Sequence, residues 1–253
     1  MSAPSASGAI ALYARPSLEY GSRVGHAIAV LQSAAAEHGV HIVQATSLGA
    51  EDMVITDLIV RHHLGVAIAT LDTGKLHAET LELLGWVEQH YNLKVARFAP
   101  VTESAIHFIC TNGEDAMTKS IELRKACCAM RKLEPLARML AGRSAWVSGL
   151  RREQSETRVG VTFSERDTQG RVKLNPLADW SWADVWHYIA THNVPYNPLH
   201  DRFMPSIGCA PCTRAIAVGE EFRSGRWWWE DETAKECGLH VQDAAENPKE
   251  PAA

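Results

Sequence analysis

Six cysteines stand in this 253-residue chain, and the spacing of five of them suggests chemistry. Cys127 and Cys128 are adjacent, Cys209 and Cys212 form a C-x-x-C, and Cys237 lies in Glu236-Cys237-Gly238-Leu239-His240. Four thiols in two pairs read as a sulfur-rich metal site, for zinc or for an iron–sulfur centre. Successive Cα atoms are only ~3.8 Å apart, so neighbouring cysteines fit poorly on one tetrahedral zinc. A cubane presents separate irons at separate corners, which favours a [4Fe–4S] cluster on Cys127, Cys128, Cys209 and Cys212. Structural zinc, a vicinal disulfide or a chance pair of buried thiols are the competing readings. Composition alone leaves Cys237 between a nucleophile and a stray surface thiol. Cys110, in the apolar run His107-Phe108-Ile109-Cys110, is expected to be a buried structural thiol.

Cations form the second group. The net charge of −5 argues against a general nucleic-acid or anionic-membrane partner, so an anionic ligand must be met by a local cluster. Lys132 follows the first cysteine pair, Arg151, Arg152 and Arg158 follow an apolar strand, and Arg223 and Arg226 precede Trp227-Trp228-Trp229. Singly, each reads as a solvated cation; as a set at strand ends they read as an anion clamp. No apolar run approaches a membrane span. The short apolar patch at 9–14 has no basic region before it, so a secretory signal is not expected. Cysteines without such a signal point to a reducing cytoplasm and to metal or catalytic roles.

The elements that must hold these groups follow from hydrophobic periodicity. Helices are expected over 20–38, 53–63, 78–91 and 131–140, and strands over 41–46, 66–71, 93–98 and 145–149. Ser181 is the expected N-cap of a later helix, and Trp180, Trp182 and Trp186 read as core. The 227–229 tryptophans cannot all be buried on one face, so part of that run covers the cluster or meets a partner. Strand–helix alternation at these spacings predicts βαβ units and a mainly parallel sheet. Ligands of such sheets bind beyond the C-terminal strand ends. Ser47-Leu48-Gly49-Ala50-Glu51-Asp52, Leu71-Asp72-Thr73-Gly74 and Gly149-Leu150-Arg151-Arg152 fall there. The first feeds a helix N-terminus and suits an anion, although a ligand-free βα turn looks the same. The chain divides into an α/β domain over 1–226 and a C-terminal arm over 227–253, the latter expected to be mobile with a disordered tail.

Together these segments resemble the assimilatory adenylyl-sulfate reductases of the sulfonucleotide reductase family. The resemblance also rests on Lys173-Leu174-Asn175-Pro176-Leu177 and Pro195-Tyr196-Asn197-Pro198-Leu199-His200, and it runs from about Ile42 to His240. The phosphate loops are shared with ATP pyrophosphatases; the double cysteine, the C-x-x-C and Glu-Cys-Gly-Leu-His are the specific part. The resemblance implies an adenine-nucleotide α-hydrolase-like fold, a [4Fe–4S] cluster, and thioredoxin-dependent reduction of adenylyl sulfate to sulfite and AMP. It makes Cys237 the nucleophile. Substrate contacts are expected from Ser47, Gly49, Asp52, Leu71, Asp72, Thr73, Lys132, Gly149, Arg151, Arg158, Arg223, Arg226 and His240. The Leu71-Asp72-Thr73 backbone is expected at the adenine edge, although Asp72 also reads as a helix N-terminal acid. His240 is read as a partner of the sulfo group or of Cys237, or as a solvated side chain. Where pyrophosphatases carry a small residue, Glu51 is expected to repel a triphosphate. Alternatives are 3′-phosphoadenylyl sulfate or dual use, and a non-catalytic metal-stabilised nucleotide-binding protein. A homo-oligomer is compatible with the sequence.

Overall fold

The computed structural model describes residues 8–230. Residues 1–7 and 231–253 lie outside the described residues, and with them Cys237, His240 and the tail expected to be disordered.

Six strands form one sheet in the order β3-β2-β1-β4-β6-β5. They are β1 (Ile42–Thr46), β2 (Ala67–Leu71), β3 (Ala96–Phe98), β4 (Ala145–Val147), β5 (Ser164–Arg166) and β6 (Val172–Leu174). Every pairing is parallel except β5 with β6. Helices α1 (Ala9–Tyr13), α2 (Tyr20–His38), α3 (Ala50–Arg61), α4 (Ala78–His90), α5 (Thr102–Asn112), α6 (Ile121–Cys128), α7 (Glu134–Met139) and α8 (Trp182–His192) complete the α/β architecture. β1 carries Ile42, Val43 and Gln44 fully inside, as a strand covered on both faces must. Leu31 of α2, Met53, Ile55 and Leu58 of α3 and Trp186 and Ile189 of α8 join Ile42 in one core cluster. Each such aliphatic side chain contributes about 1.5–3 kcal/mol by leaving water.

The strand order reverses at β1: β2 lies on one side and β4 on the other. A crevice opens at such a switch point, because successive loops leave in opposite directions. α3 starts at Ala50, three residues before the periodicity predicts, since Leu48 takes a left-handed φ of 60° and Gly49 caps the helix in an extended conformation. The helix therefore begins immediately behind the loop.

α8 has the expected Ser181 cap, completed into a capping box by Asp184. Trp180 and Trp186 are core, whereas Trp182 is only half-buried. α5 corrects an expectation: none of its residues is buried, and Cys110 is exposed. Phe108 packs towards the cysteine cluster, and a residue two positions on points to the opposite side of a helix.

Candidate active site

A cleft of about 220 Å³ opens at the C-terminal ends of β1, β2 and β4. Ser47, Gly49 and Asp52 line it from the first loop, Leu71 and Thr73 from the second, and Gly149 from the third. The Asp52 carboxylate accepts from both the Ser47 N–H and the Ser47 hydroxyl at 2.6 Å, closing the first loop on itself. Burial pushes its pKa up to about 6, against those two hydrogen bonds. Gly149 is required by contact: a Cβ there would stand 2.5 Å from Asp52 Oδ1.

Lys132, Arg158, Arg223 and Arg226 bring positive charge to this cleft. Arg158 donates to Gln154 Oε1 at 2.6 Å. Arg226 is buried, with its guanidinium 4.7 Å from the Trp227 ring centroid. Gly208 makes room for it, since a Cβ at Gly208 would fall 2.2 Å from Arg226 Nη2.

Two expected contacts, Arg151 and Asp72, are placed elsewhere, as is Arg152 of the strand-end cation set. Arg151 is fully buried behind the cleft, donating to Glu51 Oε1 at 3.0 Å and to the Trp180 carbonyl at 3.1 Å. A guanidinium spent on a buried carboxylate and a carbonyl is a strut for the loops. Asp72 is absent from the cleft lining, and its Oδ1 accepts from the Gly74 N–H at 3.0 Å as the brace of a turn. Arg152 donates to the Val161 carbonyl at 2.8 Å and lies over Phe163. The Glu51 expectation also needs correcting, because Arg151 and Gln154 both bind its Oε1 and its charge is compensated. Repulsion by Glu51 is therefore no reason to exclude a triphosphate.

Beside the cleft lies a cage of thiols. Cys127, Cys128, Cys209 and Cys212 are each 7% exposed and form one cluster with Met117 and Trp227. Arg124, Cys127, Cys128 and Arg131 are the buried positions of the helix that carries the first pair, the i, i+3, i+4, i+7 stripe of one face. Directly after Cys128 that helix loosens into a π-helical turn, Ala129–Leu133, before α7. Such turns concentrate at functional sites. The second pair sits on a short 3₁₀ turn, Ala210–Cys212, tied to the β2 loop by the Ala210 N–H to the Lys75 carbonyl at 2.8 Å. Thr73 Oγ1 lies 3.3 Å from Cys209 Sγ, and Arg131 donates to the Thr73 carbonyl at 2.7 Å.

All four thiols are free of disulfides. Burial raises the Cys127 thiol, opposed by Arg131 and Lys132, and pushes Cys212 up to about 11, opposed by Lys132 and Arg226. Lys75, Arg124, Arg131 and Lys132 line the same narrow void. Four cations around four sulfurs suit thiolates held by metal, since a coordinating thiol loses its proton. Among the described residues no three His, Cys, Asp or Glu side chains converge as ligands of a single ion. Four buried, disulfide-free cysteine side chains that line one void are a donor set suited to a thiophilic metal. Lys132, Cys209 and Trp227 line both void and cleft.

Several of these groups carry weak sequence signals. Arg124 and Gln154 act through buried contacts that no motif spacing announces. Gly208 does stand directly before the C-x-x-C, where a glycine hints at close approach. Trp227, Trp229 and Glu230, assigned by sequence to the arm, pack into the cage wall, whereas Trp228 is 43% exposed.

Comparison with known proteins agrees with this architecture. Residues 41–215 match the phosphoadenosine phosphosulfate reductase domain. An adenosine 5′-phosphosulfate reductase of Allochromatium vinosum is 55% identical over 213 residues, covering 84% of this chain and 82% of the relative. One from Neisseria meningitidis serogroup A is 54% identical over 198 residues, 78% of this chain and 81% of the relative. Among solved structures, a phosphoadenylyl-sulfate reductase from Candida auris, in complex with phosphate, superposes with a TM-score of 0.63 at 27% identity. It covers 76% of this chain and 92% of that one. A Candida glabrata FMN adenylyltransferase, at 13% identity and a TM-score of 0.54 over 83% of this chain and 65% of that one, shares the fold alone. By sequence over most of its length, and by the fold that carries the cleft, the chain belongs to the phosphoadenosine phosphosulfate reductase family.

Proposed function

We propose that the chain reduces adenylyl sulfate to sulfite and AMP, with thioredoxin as the thiol donor. The observation that carries this reading is the shared wall: an anion cleft lined by Lys132, Arg158, Arg223 and Arg226 abuts a four-thiol cage. The relatives' name adds the substrate, a nucleotide whose phosphate and sulfate both need cations. The N-terminus of α3 beyond Gly49 suits the α-phosphate through its first-turn N–H groups and the helix dipole, with Ser47 closing the loop on Asp52. Leu71 and Thr73 suit the adenine edge.

The Cys237 thiolate attacks the sulfur of the sulfo group; the S–O bond to AMP breaks and AMP leaves with the electron pair. The cations of the cleft neutralise the charge gathering on the phosphate as that bond opens. A thioredoxin thiolate then attacks the Cys237 sulfur of the S-sulfocysteine and expels sulfite, leaving a mixed disulfide that the second thioredoxin thiol resolves. Two thiols are oxidised and one sulfur falls from sulfate to sulfite, so the electrons balance. When bound on Cys127, Cys128, Cys209 and Cys212, a [4Fe–4S] cluster supplies structure and a local field. A body through the cage wall and a following segment that carries Cys237 and His240 are the working division. A reducing compartment such as the cytoplasm suits free thiols; among the described residues no helix is long and apolar enough to cross a membrane.

Anaerobically purified protein given adenylyl sulfate alone should release one equivalent of AMP and gain one sulfo group at Cys237. Reduced thioredoxin should then remove that mass and release sulfite. AMP that appears only with thioredoxin, without an adduct, would falsify the two-step route. Much faster sulfite release from 3′-phosphoadenylyl sulfate would reassign the substrate.

A further inference from the structure

Glu230 is the last described residue before the segment that bears Cys237, and its carboxylate is buried. Arg124 Nε donates to Glu230 Oε1 at 2.9 Å and Arg124 Nη2 to Oε2 at 2.7 Å, with the two side chains 1% and 3% exposed. Arg124 belongs to the α6 face that carries Cys127 and Cys128. Its guanidinium carbon also lies 4.7 Å from the Trp227 ring centroid, the same distance as that of Arg226 from the cleft side. Trp227 takes a φ of 41°, a conformation that a bulky residue holds only when its surroundings impose it. Its N–H donates to the Cys212 carbonyl at 3.3 Å, and its own carbonyl accepts from the Glu230 N–H at 2.9 Å.

A buried ion pair is seldom the most stable filling for a core position, because well-packed apolar residues of similar volume do as well or better. What a two-bond guanidinium–carboxylate pair adds is direction: it fixes both groups in one plane and one register. Here it fixes the chain at the point from which the nucleophile must depart. Cys237 is seven residues beyond Glu230, so it is held within about 25 Å of that anchor. The anchor stands against the wall that separates cage from cleft.

We propose that Arg124 and Glu230 are positioning residues for sulfur transfer: their ion pair, with Trp227, clamps the start of the Cys237 segment to the cysteine-bearing helix. The clamp rests on the reading of Cys237 as nucleophile. It makes the approach of Cys237 to the sulfo group depend on a pair that lies outside the cleft lining. It also ties that approach to the integrity of the cage, because α6 supplies both Arg124 and the first two sulfurs.

The test uses the full-length protein purified anaerobically, with an Arg124→Met/Glu230→Met double variant and a Glu230→Gln single variant. The apolar pair keeps the volume filled, whereas the single variant keeps the shape and removes the charge. Iron content, AMP affinity and the single-turnover rate of sulfo addition to Cys237 are measured in each. In the Glu230→Gln variant, which leaves Arg124 in the cage wall, iron should stay at the wild-type level and AMP affinity within two-fold, while sulfo addition slows at least ten-fold in both variants. Addition within two-fold of wild type in both variants overturns the clamp. Iron or AMP affinity lost in step with the rate in both variants also overturns it, by making the pair part of the cage's stability. A wild type that forms no adduct at Cys237 instead disproves the underlying reading, so the two failures are distinct.

Discussion

The cleft and the thiol cage share Lys132, Cys209 and Trp227, yet they are built by different rules. The cleft comes from the sheet. Its loops leave neighbouring strands at a switch point, and its shape follows from buried apolar residues and closed turns such as Ser47–Asp52. The cage has no sheet behind it. A helix face brings Cys127 and Cys128, a 3₁₀ turn brings Cys209 and Cys212, and much of the void is lined by cations and sulfur. A site of the first kind is complete before its ligand arrives. One of the second kind, on the proposed reading, gathers thiolates that a metal would hold together, so that binding and folding would be coupled.

The largest effect should follow from breaking the cage. Cys127→Ala, Cys128→Ala, Cys209→Ala or Cys212→Ala should each lose iron and acid-labile sulfide and lower the melting temperature. A substitution such as Ser47→Ala in the cleft should leave iron at the wild-type level. Iron retained in any of the four cysteine variants would remove that residue from the ligand set. Zinc in place of iron would overturn the cluster.

Next in size is the shared wall. Lys132→Met removes a cation that faces both regions. A hydrogen bond to a charged group contributes about 1.5–3 kcal/mol, so affinity for AMP should fall roughly ten- to hundred-fold. Titration calorimetry measures this. Unchanged affinity would assign Lys132 to the cage alone.

That contrast also explains what the sequence reveals. The helices at 20–38 and 78–91 and the strands at the sheet centre are legible because burial imposes a period of 3.6 or a short apolar run. β5 (Ser164–Arg166) is three residues, two of them exposed, and leaves no such trace. The four cage thiols and Lys132 are legible by type and spacing. Arg151 is misplaced by the same logic, because a cation at a strand end looks alike whether it faces a ligand or a buried Glu51. Only the three-dimensional partner decides. The Arg124–Glu230 pair spans more than a hundred residues, and no local pattern encodes it.

A smaller effect tests how tightly the cleft is packed. Gly208→Ala would put a Cβ 2.2 Å from Arg226 Nη2 and 2.5 Å from its Cζ. The guanidinium must shift off Trp227, so AMP affinity should weaken by about ten-fold, near the cost of one tenfold step of 1.4 kcal/mol. Iron should fall less than AMP affinity, because Arg226 reaches the cage through one long hydrogen bond, Nε to the Cys212 carbonyl at 3.4 Å. An iron loss parallel to the affinity loss would merge the two regions into one unit.

The smallest effect is the sharpest check on where the cage ends. Cys110 is exposed on α5, whereas the four cage thiols are each 7% exposed. Cys110→Ala removes no buried group and no hydrogen bond on which the cage rests, so stability should stay within about 0.5 kcal/mol and iron content should not move. In a Cys237→Ser background, brief alkylation of the native protein should therefore label Cys110 and spare the other four. Both the buried position and a bond to metal withhold those sulfurs from reagent. Chelation of the metal should release the four thiols together, since they line one void. Peptide mass mapping reads each site. If Cys209 and Cys212 were labelled before chelation while Cys127 and Cys128 were not, the cage would divide into two independent pairs, and the single-cluster reading would fail.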